Sequence, residues 1–336
     1  MIAIHNSHYG YHPRWIDYCN KKRIPYKLVN CYDNNIIEQL IGCSSLMWHH
    51  HHTNSKDILF AKQLLFSLEQ SGFAVFPNFN TLWHFDDKVG QKYLLEALDV
   101  PHVPTHVFYS RKEAIAWTEQ VKFPKVFKLR GGAGSANVKL AKTKSEALHL
   151  IKRAFGKGFK QYEPLTNLTE RWRKYRLGET SFWNVLKGVL RIFHEPEYSK
   201  IVGYQQGYIY FQDFIPNNDF DIRIIVINNK AFGLKRMVRK GDFRASGSGS
   251  FKVAREEFDE RCIKAAFETS RKIRSQCLAY DFVFDEHNVP LLIEISYGFS
   301  VEAYDNCPGY WDDQLNWYDN SFNPQEWMVE AVVKVV

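Results

Sequence analysis

Three clusters in the 336-residue sequence combine residue types and spacings that can do chemistry. The first is YDFVFDEHNVPLLIEIS, residues 280–296. Two apolar runs flank the turn-forming DEHN. A β-hairpin centred between His287 and Asn288 sets Asp281 opposite Glu294, with Ser296 on the face of Glu294. Facing carboxylates repel unless a cation or a basic side chain lies between them, and an unpaired charge inside LLIEIS is costly. Mg²⁺ held by one or two carboxylates plus nucleotide phosphates suits this arrangement, and so does a salt bridge to a nearby Arg.

The second cluster is KVFKLRGGAGSANVKL. No GK[ST] follows its glycines, so it is not a P-loop, and it opens a strand rather than a helix, so it is not a dinucleotide fingerprint. What remains is a glycine loop between two antiparallel strands. Its backbone N–H groups can approach a phosphate and Lys128 can add a point charge, and a flexible hairpin tip is the plainer alternative. The third cluster is DIRIIVINNKAFGLKRMVRKGDFRAS. Asp221 and Arg223 share a strand face, and Lys235, Arg236, Arg239 and Arg244 follow. Guanidinium groups suit carboxylate and phosphate. Arg223 and Arg236 lie within apolar strands, whereas Arg239 and Lys240 read as solvated surface charges.

The elements that must hold these clusters follow from hydrophobic period and punctuation. MIAI, PYKLVN, SSLMW and FAVFP read as strands. They alternate with helices in PRWIDYCNKKR, NNIIEQLIGC and KDILFAKQLLFSLEQSG, which argues for a small parallel α/β unit. DDKVGQKYLLEALDV is a helix with an acidic first turn, and SRKEAIAWTEQV is a helix capped by Ser110. PKVFKL and NVKLA flank the glycines, and TKSEALHLIKRAF is a further helix. YIYFQDFI is a strand. DIRIIVI and KAFGLKRMV form a hairpin about Asn228 and Asn229, and residues 256–276 form a helix. Three segments result: 1–85, 86–211 carrying an insert at 156–206, and 212–336.

Hydrophobic residues make up 45% and charged residues 24%, which excludes a disordered chain, and no apolar run is long enough to cross a bilayer. The start MIAIHNSHYG lacks a basic n-region and a long h-region, so no secretory signal is expected. The six cysteines form no CxxC pair and read as reduced thiols, which fits a cytoplasmic protein. Net charge is +7, and between residues 150 and 206 eleven Lys and Arg meet five Glu, so the insert carries most of the excess. No nucleic-acid partner is expected.

These clusters together resemble the ATP-grasp enzymes, nearest to the branch of ribosomal-protein glutamate ligases and related carboxylate–amine ligases, over roughly residues 81 to 300. The resemblance implies an α/β pre-ATP-grasp domain followed by two α+β subdomains that clamp ATP, with Mg²⁺. DDKVGQKYLLEALDVPHVP is similar to the family's helix with a nucleotide-contacting lysine, here Lys88. The glycine segment is similar to the family's lid, which places Lys128, Gly131, Gly132, Gly134 and Ser135 on the phosphates. YFQDFIPN resembles the hinge that reads adenine, giving Gln212, Asp213, Phe214 and Ile215. FDIR places Asp221 near the ribose and Arg223 near the reacting phosphoryl group, where Arg236 joins it. RKGDFRAS brings Arg244 to the substrate or γ-phosphate. Asp281, Glu294 and Ser296 match the magnesium-binding positions. The family usually has Asn at the place of Ser296, followed by a Pro-Gly turn that is YGFS here. The implied reaction is ATP-dependent amide formation through an acyl phosphate. A kinase of the same fold and a nucleotide-binding protein without activity are the alternatives.

Two further features bear on the acceptor. HNSHYGYH and HHHHTNSKD follow strands of the parallel unit, where ligands gather in open sheets, so His5, His8, His49, His50, His51 and His52 are candidate substrate contacts. In the insert, Phe182, Val185, Leu186, Val189, Leu190 and Phe193 fall at helical spacing beside basic residues. Such a helix, within residues 166–200, can rest on the inner face of an anionic membrane or pack on its own protein or a second subunit of a homodimer. With the aromatic tail YDNCPGYWDDQLNW, these features suggest a sugar-linked acceptor, a surface-polysaccharide precursor joined to a small carboxylate or amine.

Overall fold

The computed structural model describes residues 1–7, 10–132, 137–162, 164–176, 178, 180–193, 196–239, 242–247 and 249–333. The chain divides into two compact units, and their boundary falls at Val103/Pro104 and again at Phe214/Ile215. Unit 1 holds residues 1–52, 56–103 and 215–336, and unit 2 holds 53–55 and 104–214. Segment 86–211 is thus divided between the two.

Unit 1 opens with alternating strands and helices: β1 (Ile2–His5), α1 (His12–Lys22), β2 (Tyr26–Val29), the single turn α2 (Ile36–Gln39), β3 (Ser45–Met47), α3 (Ser55–Gln70) and β4 (Ala74–Phe76). The strands form a parallel sheet of order β2-β1-β3-β4. NNIIEQLIGC gives only the four residues of α2, because Gly42 takes a positive φ and ends it. After the short α4 (Phe79–Leu82), Asp87 caps α5 (Lys88–Ala97) by accepting the Gly90 N–H at 2.9 Å.

Unit 2 contains β5 (Thr105–Phe108), α6 (Arg111–Thr118), β6 (Lys125–Lys128), β7 (Val138–Ala141) and α7 (Lys144–Ala154). Ser110 caps α6 as its sequence predicts, and Thr143 caps α7. The insert leaves and returns through a two-stranded ribbon, β8 (Phe159–Lys160) with β9 (Tyr204–Gln205). Between them lie α8 (Pro164–Arg176), α9 (Phe182–Phe193) and α10 (Glu197–Val202). β10 (Ile209–Asp213) then pairs antiparallel between β5 and β6. Phe127, Ile209 and Phe211 pack with Ala147 and Ile151 of α7.

The chain re-enters unit 1 to build an antiparallel sheet from β11 (Phe220–Ile227), β12 (Lys230–Met237), β13 (Phe251–Lys252), β14 (Cys277–Phe284), β15 (Pro290–Ser296), β16 (Tyr310–Asp312) and β17 (Trp317–Tyr318). Its order is β15-β14-β11-β12-β16-β17, with β13 on β12. The β11–β12 hairpin turns at Asn228 and Asn229 as expected, with Asn228 at φ 52°. Helix α11 (Glu260–Ile273) packs on β11 and β14, and α12 (Pro324–Val333) packs on α1 and β4. Ile2, Trp15 and Phe76 therefore share one core with Ile224, Phe232 and Trp327.

Gly233 shows how tightly β12 meets β11. A Cβ there would lie 2.5 Å from the Arg223 carbonyl oxygen and 2.9 Å from the Phe258 ring, and a backbone carbonyl in a central strand yields little. Gly233→Ala should lower stability by about 2 kcal/mol, read as a lower urea midpoint. An unchanged midpoint would mean that the two strands can part without cost.

Candidate active site

The register of the unit 1 sheet brings charged residues to one face. Asp221 lies opposite Arg236, Arg223 opposite Asp281, and Asp281 opposite Glu294. Side chains alternate along a strand, so Ile222 and Ile224 point to the other face with Phe282, into the core shared with α11. The β14–β15 turn spans Glu286–Asn288, with Asn288 at φ 58°, and is centred on His287. A bulge at Ile293 then shifts the pairing by one, so that Glu294, rather than Ile293, faces Asp281.

The charges close on one another. Arg223 Nε and Nη2 donate to Asp281 Oδ1 and Oδ2 at 2.6 and 2.7 Å. Arg236 Nε and Nη2 donate to Asp221 at 2.6 and 2.7 Å, and Arg236 Nη2 lies 2.8 Å from Asp281 Oδ2. Burial alone would raise the Asp281 pKa, but Arg223 and Arg236 overrule it and hold the carboxyl well below the usual range. Tyr304 lies buried beside Arg223, and burial pushes its hydroxyl up to about 12. No pattern in the sequence marks it. Glu294 takes Lys88 as its partner, Nζ to Oε1 3.1 Å. Lys88 is buried at the first turn of α5, and although burial would lower its pKa, Glu294, Asp86 and Asp87 raise it. Both carboxylates of the acidic hairpin therefore have basic partners, Arg223 and Arg236 for Asp281 and Lys88 for Glu294.

Three further polar residues of unit 1 belong to the sequence clusters, Ser296, Arg244 and Arg239. Ser296 lies on the face of Glu294, and its Oγ donates to the Gly298 carbonyl at 3.0 Å, which leaves the oxygen able to accept. Arg244 is anchored on Asp242 at 2.6 Å. Arg239 is not the solvated charge its sequence suggests. It is buried and donates from Nε to the Ser246 carbonyl at 3.0 Å, holding its own loop, because the chain folds back there.

In unit 2, Lys128 at the end of β6 lies opposite Tyr210, and its buried Nζ donates to Gln212 Oε1 at 2.7 Å. Gln212 donates in turn to Thr105 Oγ1 at 3.2 Å. Asp213 accepts from Lys125 at 2.6 Å and pairs with His106 at 3.2 Å, which outweighs its burial and lowers its pKa. Phe214 ends unit 2 and Ile215 begins the return to unit 1. Gly132 has φ 116°, a backbone that favours glycine, and Gly131 precedes it. Gly134 and Ser135 lie outside the described residues.

The histidines are not exposed loop residues. His5, His49 and His50 are buried, and His51 and His52 are partly so, because Tyr32 and Trp48 pack on His5, Tyr11 and Tyr297 on His49 and His50, and Phe85 on His52. His49 stacks on Tyr11 at 3.7 Å, and its Nδ1 accepts the Tyr11 N–H at 3.1 Å. His5 Nδ1 accepts the Cys31 N–H at 3.0 Å, and the His50 carbonyl accepts the Tyr297 hydroxyl at 2.7 Å. His8 lies outside the described residues. Among the described residues, no group of three His, Cys, Asp or Glu is arranged to hold a metal ion.

The folds of both units match known proteins. Solved structures similar to this chain include an ATP-grasp RimK-domain protein from Sphaerobacter thermophilus DSM 20745, with TM-score 0.54 and 12% identity over 99% of this chain and 100% of that one. D-alanine–D-alanine ligase from Bacillus anthracis complexed with ATP has TM-score 0.58 and 11% identity over 99% and 97%. N5-carboxyaminoimidazole ribonucleotide synthetase from Thermotoga maritima has TM-score 0.58 and 12% identity over 99% and 75%. The chain has the ATP-grasp fold. Within it, residues 189–307 match the RimK-like ATP-grasp domain family. No curated protein matches the chain in sequence.

Two pH windows follow from these groups. Burial lowers the pKa of His50 to about 3 and of His51, His52 and His84 to about 4, with His49 also well below its ordinary value. The unfolded chain then binds more protons than the folded one below about pH 6.5. Stability should therefore fall as pH drops from 7 toward 4. Fully buried His50 and His84 should each contribute a slope of up to about 1.4 kcal/mol per pH unit. Asp57 and Asp221, both raised by burial, act in the opposite sense as two groups against five. Asp281 adds its loss only below the usual carboxylate range. Urea titrations across this pH range check it, and a flat profile from pH 7 to 5 would contradict the burial of the histidine run. Asp281→Ala strands the Arg223 guanidinium and removes one of the two carboxylates on Arg236, and it should cost about 3 to 5 kcal/mol at neutral pH.

Proposed function

We propose that the chain is an ATP-dependent ligase that joins a carboxylate to an amine through an acyl phosphate. The observation that carries this reading is the charged face of unit 1, where two arginines are held in place by buried carboxylates within an ATP-grasp fold. Arg223 and Arg236 use Nε and Nη2 on Asp281 and Asp221, so the Nη1 edge of each can meet an anionic oxygen. Because the carboxylates fix these guanidinium groups in advance, a transferring phosphoryl group meets them without reorganisation. The γ-phosphoryl group of ATP passes to the substrate carboxylate, and ADP leaves. The amine nitrogen then attacks the carbonyl carbon, and inorganic phosphate leaves with the C–O bonding pair. Arg244 lies in the loop that we assign to the substrate carboxylate or γ-phosphate.

In unit 2, we assign Lys128 to the nucleotide phosphates, with the backbone of Gly131, Gly132, Gly134 and Ser135. Gln212, Asp213 and Phe214, followed by Ile215, are assigned to the adenine. In unit 1, Asp221 is assigned to the ribose side and Lys88 to the phosphates, exchanging Glu294 for nucleotide oxygen. Asp281, Glu294 and Ser296 form an all-oxygen donor set that fits a hard cation, and Asp281 Oδ1, which accepts one bond from Arg223, has a lone pair to offer it. Mg²⁺ held there would neutralise phosphate charge.

A sugar-bearing acceptor is the finer reading. Tyr310 stacks on Tyr318 at 5.1 Å beside Trp327. These rings line a cavity of about 530 Å³ with Asn229 and Asp313, which suits the apolar face and hydroxyls of a pyranose. It lies at the Lys230 end of β12, six residues and about 20 Å from Arg236, so it would hold a remote part of a large acceptor. The histidine run would then act by packing rather than by touching the acceptor.

ADP release screened over amino acids paired with sugar nucleotides tests the reaction. Glu294→Gln should lower the rate about 10²- to 10³-fold, with an unchanged circular dichroism spectrum. Near-normal ADP release by that variant would remove Glu294 from the site. One inorganic phosphate per ADP marks a ligase, and ADP without free phosphate would mark a kinase instead.

A further inference from the structure

The helical pair of the insert presents an apolar stripe that the ligase reading does not use. Helix α9 turns Val185 and Gly188 toward α8. The missing Cβ of Gly188 admits the Arg171 and Leu168 side chains, which a Cβ would meet at 2.7 and 3.2 Å. Arg171 Nη1 donates to the Asn184 carbonyl at 2.9 Å and ties the two helices together. The outward stripe is Phe182, Trp183, Leu186 and Val189, at the i, i+4, i+7 spacing of one helix face. Trp183 is 73% exposed, Phe182 51% and, on α8, Trp172 48%. The rings are continuous across the turn, with Trp172 to Tyr175 at 5.8 Å and Tyr175 to Phe182 at 5.6 Å. Isolated exposed apolar residues are ordinary, but a joined aromatic and aliphatic stripe marks a surface that meets something.

We infer that this stripe docks the protein on an anionic lipid bilayer, the rings entering the headgroup boundary and the neighbouring cations meeting lipid phosphates. Charge selects this occupant. Residues 164–193 contain six Lys and Arg against two Glu, with Arg176 and Lys187 exposed beside the stripe. A second copy of the same surface would bring like charges together, whereas an anionic bilayer satisfies the cations and the rings at once. Trp and Tyr are the side chains that settle at a membrane–water boundary. Among the described residues no helix is long and apolar enough to cross a membrane, so the contact is peripheral. The inference stands apart from the ligase reading, since it concerns no residue assigned to ATP or acceptor.

The test uses the full chain and vesicles of phosphatidylcholine, alone or mixed with phosphatidylglycerol. The protein should sediment with the mixed vesicles, with tryptophan emission shifted to the blue, and bind far less to phosphatidylcholine alone or at high salt. Trp183→Ser with Leu186→Ser should lower the partition coefficient about tenfold or more, with the circular dichroism spectrum and ATP turnover in the absence of vesicles unchanged. Equal partition of variant and parent, or none with either vesicle, would overturn the inference. So would a parent dimer that the same substitutions dissociate in light scattering, since the stripe would then be covered by a second copy.

Discussion

Asp281 shares its two oxygens between two arginines, and the rest of unit 1 is arranged so that it can. Both guanidinium groups come from other strands, Arg223 from β11 and Arg236 from β12. Each carboxylate and each arginine would be costly to bury alone, and the four together come close to neutrality. The requirement is severe. β11 must lie between β12 and β14, in one register, with all four residues on one face. A shift of a single residue along either interface would turn half of the set into the apolar core and leave the other half unmatched.

The opposite face explains why that register is held. Ile222, Ile224 and Phe282 project from it into the core with Ile263 and Phe267 of α11, and the packing of these side chains penalises any slip. A single sheet thus keeps chemistry on one surface and cohesion on the other. Glu294 joins the chemical surface only through the extra residue at Ile293, and bulges of this kind commonly redirect side chains beside active sites.

Much of this was legible in local sequence. Apolar period, caps and turn residues suffice for the strands of the parallel sheet, for the Ser110 cap and for both C-terminal hairpins. The facing of Asp281 and Glu294 was also expected, though by a different route. A regular hairpin about DEHN with this pairing is centred between His287 and Asn288, whereas the turn is centred on His287 and the bulge supplies the missing step. Backbone irregularity of that kind leaves little trace in residue type. The ion pairs were less accessible still. Arg236 and Asp281 are 45 positions apart, and nothing local says which arginine takes which carboxylate. The burial of the histidine run is hidden from local sequence for the same reason, since Tyr11, Phe85 and Tyr297, which pack on it, come from distant parts of the chain.

Unit 1 is broken in sequence, because its two parts lie on either side of the 111 residues from Pro104 to Phe214. During synthesis, the first hundred residues leave the ribosome on the order of 10 s before β11 begins to appear, at roughly 5 to 20 residues per second. In that interval Ile2, Trp15 and Phe76 lack the partners that later bury them, while the intervening stretch is nearly continuous and can organise first. Nascent chains of this protein should therefore depend on chaperone shielding early in translation and lose that dependence once α12 has emerged.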